Sequence, residues 1–378
     1  MSVYLDNAAT TALKSEVLDA MLPYFQSFYG NPSSQHGAGR EAKSAIETSR
    51  KLLAQLINAH PGDIVFNSGG TESNNMILKG AVRDLGVKHI ITSVIEHHGI
   101  LHTVEYLEKT RQIKLTILPV DQFGQISMDS LEKALSESEG KTLVSIMHAN
   151  NEIGSMIDID AVAHLCKAYD ALFHSDTVQS FAHCHIDVQH TPIDFLSVAA
   201  HKFHGPKGVG FLYMRKSAKL HEQIHGGAQE RGLRAGTENV AGIVGLAKAA
   251  ELAYMHLNED KAHILGLKKY LINQIREAIP GVLFNGRIDE GASLYTVLSI
   301  SLPPHQSGGL LLFKLDMQKI YVSGGSACSS GAAVGSHVMA AIQHDPERVP
   351  LRVSFSKYNT KEDIDTLVSA IVKLYVDN

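Results

Sequence analysis

Short apolar runs alternate with helical patterns through the first two thirds of this 378-residue chain, and this alternation limits the fold more than any other feature. Most of the runs are continuously apolar, which is typical of strands buried on both faces of a parallel sheet. We therefore predict an α/β fold with a mostly parallel, seven-stranded sheet and helices on both faces. The predicted strands are 64–66, 89–92, 114–118, 143–147, 171–175, 194–198 and 208–214, and the predicted helices are 71–85, 99–110, 129–136 and 158–169.

The seventh run differs from the others because only HKFHGPKG separates it from the sixth, so these two strands can be antiparallel. From Glu238 to about Ile279 the pattern is helical, with a weak break near 258–260, and a helix of this length often bridges two domains. The C-terminal remainder predicts a smaller α+β unit, with helices near 308–316 and 361–376 and strands in VLFNG, YTVLSISL, KIYVSGG and LRVSF.

The length of the chain also suggests two domains, since one domain usually takes about 100–200 residues. We predict a large domain of residues 15–255. The small domain then consists of residues 256–378 together with the strand-like segment 1–14.

Charge and cysteine content argue against several classes of protein. The chain has 34 basic and 39 acidic residues and no basic run, so we expect no nucleic-acid surface. No apolar stretch approaches the roughly 18 residues of a membrane span, and MSVYLDNAATT lacks the basic and apolar regions of a signal peptide. The three cysteines, Cys166, Cys184 and Cys328, cannot all pair with one another, which favours a reducing cytoplasm.

Lys202 has an unusual setting for a lysine, because it follows a histidine between two predicted strands. A solvated surface lysine does not need this setting, whereas a lysine that forms a covalent bond does. Ligands bind at the carboxyl ends of parallel strands, and polar segments follow other predicted strands too. In NSGGTESNN, Gly69 and Gly70 permit a tight turn, and Thr71 opens a helix whose N-terminus favours an anion such as phosphate.

Asp176 and Gln179 follow the strand that precedes the Lys202 strand. An acid in this position usually caps a helix or pairs with a base, and it can also keep a heteroaromatic nitrogen protonated. An aspartate, a lysine and a phosphate-binding turn at neighbouring strand ends suit pyridoxal phosphate. The lysine would form the Schiff base, the aspartate would pair with the pyridinium nitrogen, and the helix N-terminus would take the phosphate.

Cys328 lies among small residues in SGGSACSSG, for which we predict a mobile, exposed loop. A buried cysteine normally sits in an apolar run, as Cys166 does in AVAHLCKAYD. The opposite neighbours of Cys328 favour a reactive thiol. Cys184, in AHCHID, is ambiguous.

Nine motifs resemble those of the cysteine desulfurases and occur in the same order: YLDNAATT, YGNPSSQHGAGREA, SGGTESNN, EHHGIL, HANNEIG, HSDTVQS, AHKFHGPKG, HGGAQERGLRAGTENV and GGSACSSG. These enzymes form the NifS/IscS-like group of the class V aminotransferases, and the match spans nearly the whole chain. The resemblance implies the type I fold of pyridoxal-phosphate-dependent transferases. It also implies conversion of L-cysteine to L-alanine, with the sulfur carried on Cys328 as a persulfide and then delivered to an acceptor protein, such as an iron–sulfur scaffold.

The resemblance further implies a role for each matching residue. Lys202 would form the Schiff base and move a proton at the substrate Cα, and His97 would stack on the cofactor ring and act in acid–base steps. Asp176 would pair with the ring nitrogen and Gln179 with the ring hydroxyl. The other implied cofactor ligands are Gly70, Thr71, His201 and Thr237, and the implied substrate ligands are Asn31, Asn151 and Arg352. Thr237 matches a residue that reaches the phosphate of the other subunit, so we expect a homodimer.

The chain departs from the family pattern at two positions where serine is usual, Ala199 and Gly324. Losing one hydroxyl–phosphate hydrogen bond at Ala199 would cost about 1.5–3 kcal/mol and weaken cofactor retention. Glycine at 324 would loosen the Cys328 loop.

Four alternatives remain at the level of the sequence. One is a purely structural or interaction protein, in which Lys202, Asp176 and Thr71 would have no chemical role. A selenocysteine lyase would fit the same residues, and another class V aminotransferase would have no need of Cys328. A metal-binding protein would have to use clusters such as His183, Cys184 and His185. These three residues would alternate faces on a strand and have no second ligand pair at zinc spacing, so we expect no metal site.

Overall fold

The computed structural model describes residues 2–111, 113–305, 308–324 and 335–375. Within these ranges the strands are β1 Val3–Tyr4, β2 Ile64–Asn67, β3 His89–Ser93, β4 Lys114–Leu118, β5 Thr142–Ser145, β6 Leu172–Asp176, β7 Phe195–Ala199, β8 Gly210–Met214, β9 Leu283–Asn285, β10 Val297–Leu302, β11 Ile320–Tyr321 and β12 Val349–Ser354. The helices are α1 Ser15–Gln26, α2 Gly37–Leu56, α3 Gly70–Asp84, α4 His98–Arg111, α5 Met128–Ser136, α6 Ile159–Ala168, α7 Val240–Met255, α8 Leu257–Ala278, α9 Leu311–Met317, α10 His337–Ala341 and α11 Lys361–Tyr375.

The central sheet has seven strands in the order β2-β8-β7-β6-β5-β3-β4. Strands β3 to β7 pair in parallel, and β8 is antiparallel to both β7 and β2. The predicted mostly parallel seven-stranded sheet is therefore confirmed. The short connection before β8 does produce the antiparallel pair that its length allowed, with Ala199 opposite Gly210.

Helices cover both faces of this sheet, which explains why its strands are continuously apolar. Residues Ile64 and Phe66 of β2 pack in a hydrophobic cluster with α1, α2, α6 and α7. Val65, between them, packs in a second cluster with α3 and α4 on the opposite face. Successive side chains of a strand point to opposite faces, so a strand with both faces covered needs an apolar residue at every position.

The long helix predicted from 238 to 279 is two helices. Helices α7 and α8 meet at His256 and are bent by 73° relative to each other. The break precedes the predicted one at 258–260, and it has a packing cause. Helix α7 is buried in the cluster of the central sheet, whereas α8 packs in a separate cluster that contains residues of α9 and α11.

This separate cluster forms the core of the C-terminal part of the chain. It includes residues of the antiparallel sheet β12-β10-β9, together with Val3 and Leu5 from the N-terminal segment, where β1 pairs in parallel with β11. The domain boundaries themselves, 15–255 and 1–14 with 256–378, stay a prediction.

Within the described ranges, no single helix has both the length and the apolar character to cross a membrane. Helices α7 and α8 together meet those two criteria, but only as a bent pair. In the same part of the chain, His, Cys, Asp and Glu side chains form no group of three or more that could hold a metal ion.

Candidate active site

A cavity of about 300 Å³ opens at the carboxyl ends of the parallel strands. The segments at the ends of β3, β5, β6 and β7, which are neighbours in the sheet, and the start of α3 after β2 contribute to its wall, as expected where parallel strands end at one edge of a sheet. The N-terminal segment and β12 complete it. Of the predicted site residues, the cavity is lined by Gly70, Thr71, His97, Asn151, Asp176, Gln179, His201, Lys202 and Arg352.

Asp176 ends β6, and two hydrogen bonds hold its carboxylate in place. Asn74 donates from Nδ2 to one oxygen at 2.8 Å, and the backbone N–H of Val178 donates to the other at 3.0 Å. Asn74 lies on α3 and also lines the cavity. Sequence reasoning missed Asn74, although its position three residues after Thr71 on a helix puts the two on one face.

Lys202 ends a short 3₁₀ turn, Ala200–Lys202, that follows β7. Its Nζ donates to the carbonyl oxygens of Ala8 and Ala9 at 2.6 and 2.8 Å. Gln179 donates from Nε2 to the same Ala8 oxygen at 3.0 Å. The N-terminal segment therefore forms one wall of the cavity and holds the lysine amine at its edge.

The N-terminus of α3 lies at the wall of the cavity, where it is suited to bind an anion. The first N–H groups of a helix have no partner within the helix and favour a negative charge. Gly69 adopts a φ of 139°, a conformation that favours glycine. A Cβ on Gly70 would lie 2.5 Å from Cγ2 of Val178, so the close approach of α3 to the cavity wall requires glycine here too. Thr71 follows in the first turn of the helix.

Burial determines the charge of His201, and a hydrogen bond determines the tautomer of neutral His97. Burial, together with the charges of Lys202 and Lys207, lowers the pKa of His201 to about 4, so its imidazole is neutral at pH 7. The backbone N–H of Gly99 donates to Nδ1 of His97 at 3.0 Å. Because Nδ1 accepts this bond, the proton of a neutral His97 is on Nε2.

Arg352 lies on β12 and is 2% exposed. Its Nη2 donates to Asp6 at 2.8 Å and its Nη1 to the carbonyl oxygen of Asn151 at 3.0 Å. Its Nε has no hydrogen-bond partner within the described residues. A buried guanidinium N–H without a partner is costly, and a carboxylate is the anion that best matches the geometry of this group. Asp6, in YLDNAATT, is a second residue that sequence reasoning missed.

Glu96, directly before His97, is fully buried next to the site. It accepts hydrogen bonds from Ser93 Oγ at 2.7 Å and from the backbone N–H of Met147, a residue of the cavity wall. Burial, with a smaller contribution from the nearby charge of Asp176, raises the pKa of Glu96 to about 8. Glu96 is therefore mainly neutral at pH 7.

Two predicted residues within the described ranges, Asn31 and Thr237, are not among those that line the cavity. Asn31 is exposed between α1 and α2, and its Oδ1 accepts from the backbone N–H of Ser33. Thr237 is also exposed and lines a separate cavity of about 160 Å³. Cys328 lies outside the described residues. Ala199 does line the main cavity, so the replacement of the usual serine removes a hydroxyl group from a residue of the cavity wall.

The prediction that residues 183–185 alternate along a strand is wrong. They lie in and after a turn that follows Phe181. The backbone N–H groups of His183 and Cys184 bond to the carbonyl oxygen of Ser180, which is the pattern of a turn and not of a sheet ladder.

Residues 3–367 match the family model described as aminotransferase class-V. The cysteine desulfurase IscS of Dictyoglomus turgidum is 44% identical over 376 residues, which cover 98% of this chain and 94% of the relative. A solved structure described as a NifS-like protein aligns with a TM-score of 0.91 and 37% identity over 99% of both chains. A structure of SspA in complex with cysteine aligns with a TM-score of 0.81 and 33% identity, covering 95% of this chain and 100% of that one.

Proposed function

The chain belongs to the aminotransferase class-V family, in its NifS/IscS-like group, and from this premise we propose that it is a pyridoxal-phosphate-dependent cysteine desulfurase. In the net reaction, L-cysteine and the Cys328 thiol give L-alanine and a Cys328 persulfide. The Cβ–Sγ bond of the substrate breaks and an S–S bond forms, while Cβ takes an electron pair and a proton. The observation that carries the proposal is the set of Lys202, Asp176 and the α3 N-terminus around one cavity.

The residues of the cavity fit pyridoxal phosphate. Asp176 would pair with the ring nitrogen, Lys202 would hold the aldehyde carbon covalently, and Gly70 and Thr71 would hold the phosphate. The bonds from Asn74 and Val178 that orient Asp176 support this role. When bound, the cofactor supplies an electron sink that acidifies the Cα proton of an amino-acid substrate.

The chain's own residues would bind the substrate and move its protons. The Nε of Arg352 has no partner among the described residues, so it can donate to the carboxylate of L-cysteine, with Asn151 beside it. The amine of Lys202 would move the proton at Cα, since it lies at the edge of the same cavity. Nδ1 of His97 is engaged by Gly99, which leaves Nε2 to exchange a proton. The Cys328 thiolate would then attack Sγ of the substrate.

We further propose that the enzyme is a homodimer in which Thr237 reaches the phosphate bound by the partner subunit. The exposed position of Thr237, away from the main cavity of its own chain, supports this arrangement. A stripe of exposed apolar residues along α1 supports it too, because the spacing of these residues puts them on one helix face. The stripe consists of Leu18, Leu22 and Phe25.

The persulfide sulfur would pass from Cys328 to an acceptor protein, for example an iron–sulfur scaffold. We propose that this takes place in the cytoplasm, where the three cysteines would remain reduced.

Alanine release from L-cysteine, with added pyridoxal phosphate and a reductant, tests the proposal. We expect release by the wild type, none by Cys328→Ala, and wild-type release by the matched control Cys184→Ala. Lys202→Ala should purify without the cofactor absorbance band of the wild type. Release by Cys328→Ala would instead identify a lyase that does not need this thiol, and no release by the wild type would refute the proposal.

A further inference from the structure

The proposed mechanism leaves one imidazole beside Lys202 without a role. His183 Nε2 lies 3.3 Å from the carbonyl oxygen of Lys202, and His183 Nδ1 lies 3.1 Å from the hydroxyl of Tyr295. A carbonyl oxygen only accepts hydrogen bonds, so Nε2 carries the proton and donates to Lys202. In the neutral ring, Nδ1 accepts from the Tyr295 hydroxyl. The two bonds therefore fit a neutral His183 with its proton on Nε2.

His183 faces a second, smaller cavity of about 30 Å³, behind the lysine. Ala8, Gln179 and Lys202 line both this cavity and the larger one. Burial lowers the pKa of His183 below its ordinary value, which keeps the ring neutral. The other titratable and charged groups around this cavity are Lys14, Lys202, His204, Asp260, Tyr295 and Lys357, of which Asp260 and Lys357 form an ion pair at 2.9 Å.

The backbone on both sides of this contact is held in an unfavourable conformation. Ala182, directly before His183, has a φ of 65°, and His204, two residues after Lys202, has a φ of 67°. The left-handed region costs a residue other than glycine about 1–2 kcal/mol. Such strain persists only where the surrounding structure imposes it, and it is typical of functional sites.

We propose that His183 is a positioning residue that fixes the Lys202 turn relative to the segment that carries Asp176 and Gln179. Through Tyr295, which precedes β10, it also connects the C-terminal sheet to the lysine. The inference rests on the proposed function, because it assumes that Lys202 carries the cofactor. A shift of the Lys202 backbone would move its amine relative to Asp176, and small displacements of reacting groups slow catalysis strongly.

The test uses the holoenzyme and three variants. His183→Leu removes the donor to Lys202, His183→Gln keeps a donor at the position of Nε2, and His185→Leu makes the same change at an exposed histidine two residues away.

The readouts are the pH midpoint of the cofactor absorbance, and kcat and KM for alanine release from L-cysteine. For His183→Leu we expect kcat to fall about tenfold and the absorbance midpoint to move, while KM changes little because Arg352 is untouched. His183→Gln should restore both readouts, and His185→Leu should resemble the wild type.

A wild-type absorbance midpoint and kcat in His183→Leu would overturn the inference. If the wild type binds the cofactor but releases no alanine, the proposed substrate is wrong. In that case the absorbance midpoint alone tests whether His183 positions Lys202. If the wild type binds no cofactor, the proposed function and the inference both fail.

Tyr295→Phe provides a second test that does not depend on the folding of His183→Leu. It removes the hydroxyl that bonds to Nδ1 of His183 and thereby one of the two contacts that hold the ring in place. We expect kcat and the absorbance midpoint to change in the same direction as in His183→Leu, but by less. Wild-type values of both would contradict the inference.

Discussion

At the scale of single residues, Glu96 shows how burial changes the chemistry of an ordinary side chain. Its ordinary pKa is 4.5, and burial raises this pKa to about 8. Between these two values the folded protein keeps a proton on Glu96 that the unfolded chain releases. The stabilising contribution of this proton is fully present below pH 4.5 and is lost as the pH rises through about 8.

Glu96→Gln should remove this pH dependence. We expect the wild type to lose stability relative to the variant by up to about 1.4 kcal/mol per pH unit as the pH rises within that window. Urea unfolding of both proteins at pH 5.5 and 7.5 measures the change. Glu41→Gln, an exposed substitution on α2, is the control and should follow the wild type. A difference between Glu96→Gln and the wild type that stays constant with pH would contradict the prediction.

At the scale of elements, a buried ion pair joins α2 to the turn before Thr237. Arg50 of α2 donates to both carboxylate oxygens of Glu230, at 2.8 and 2.7 Å, and both side chains are buried. Glu230 also accepts from the backbone N–H of Phe66, in β2, at 2.8 Å. The pair therefore ties a helix, a strand and a turn together in the interior of the protein.

Glu230→Ala should destabilise the protein by about 3–5 kcal/mol, because it leaves the Arg50 charge buried without its partner. Glu47→Ala removes the other, partly exposed carboxylate that bonds to Arg50, and should cost less than about 1 kcal/mol. Chemical denaturation of the two variants measures both values. Equal costs would mean that the buried pair contributes no more than a surface pair.

At the scale of the whole molecule, the proposed dimer makes cofactor binding depend on association. Phe25, in the apolar stripe of α1, and Phe313, on α9, are both 61% exposed, so they form a matched pair for substitution. We expect Phe25→Glu to dissociate the dimer in sedimentation velocity and to release the cofactor more readily, because Thr237 of the partner subunit is lost. Phe313→Glu should remain dimeric. If Phe25→Glu remains dimeric, the proposed location of the interface on α1 is wrong.

The sequence predicted the strands of the central sheet better than the break between α7 and α8. The apolar runs and helical spacings located all seven strands of the central sheet to within a few residues, because strands buried on both faces leave a strong local pattern. The break lies at His256, before the predicted position of 258–260. It results from α7 and α8 packing in different cores and not from a local breaker residue.

By itself, the sequence determined the α/β architecture and most of the residues around the cavity, because strand ends, glycine turns and the desulfurase-like motifs are local features of the chain. Only the tertiary structure decided how these residues are held. Three hydrogen bonds of this kind join segments that are distant in the sequence: Arg352 to Asp6, Asn74 to Asp176, and His183 to the Lys202 carbonyl. The neutral state of Glu96 likewise depends on burial, which is set by every element that packs around it. Such contacts have no signature at fixed sequence spacing, since they form only when the whole chain has folded.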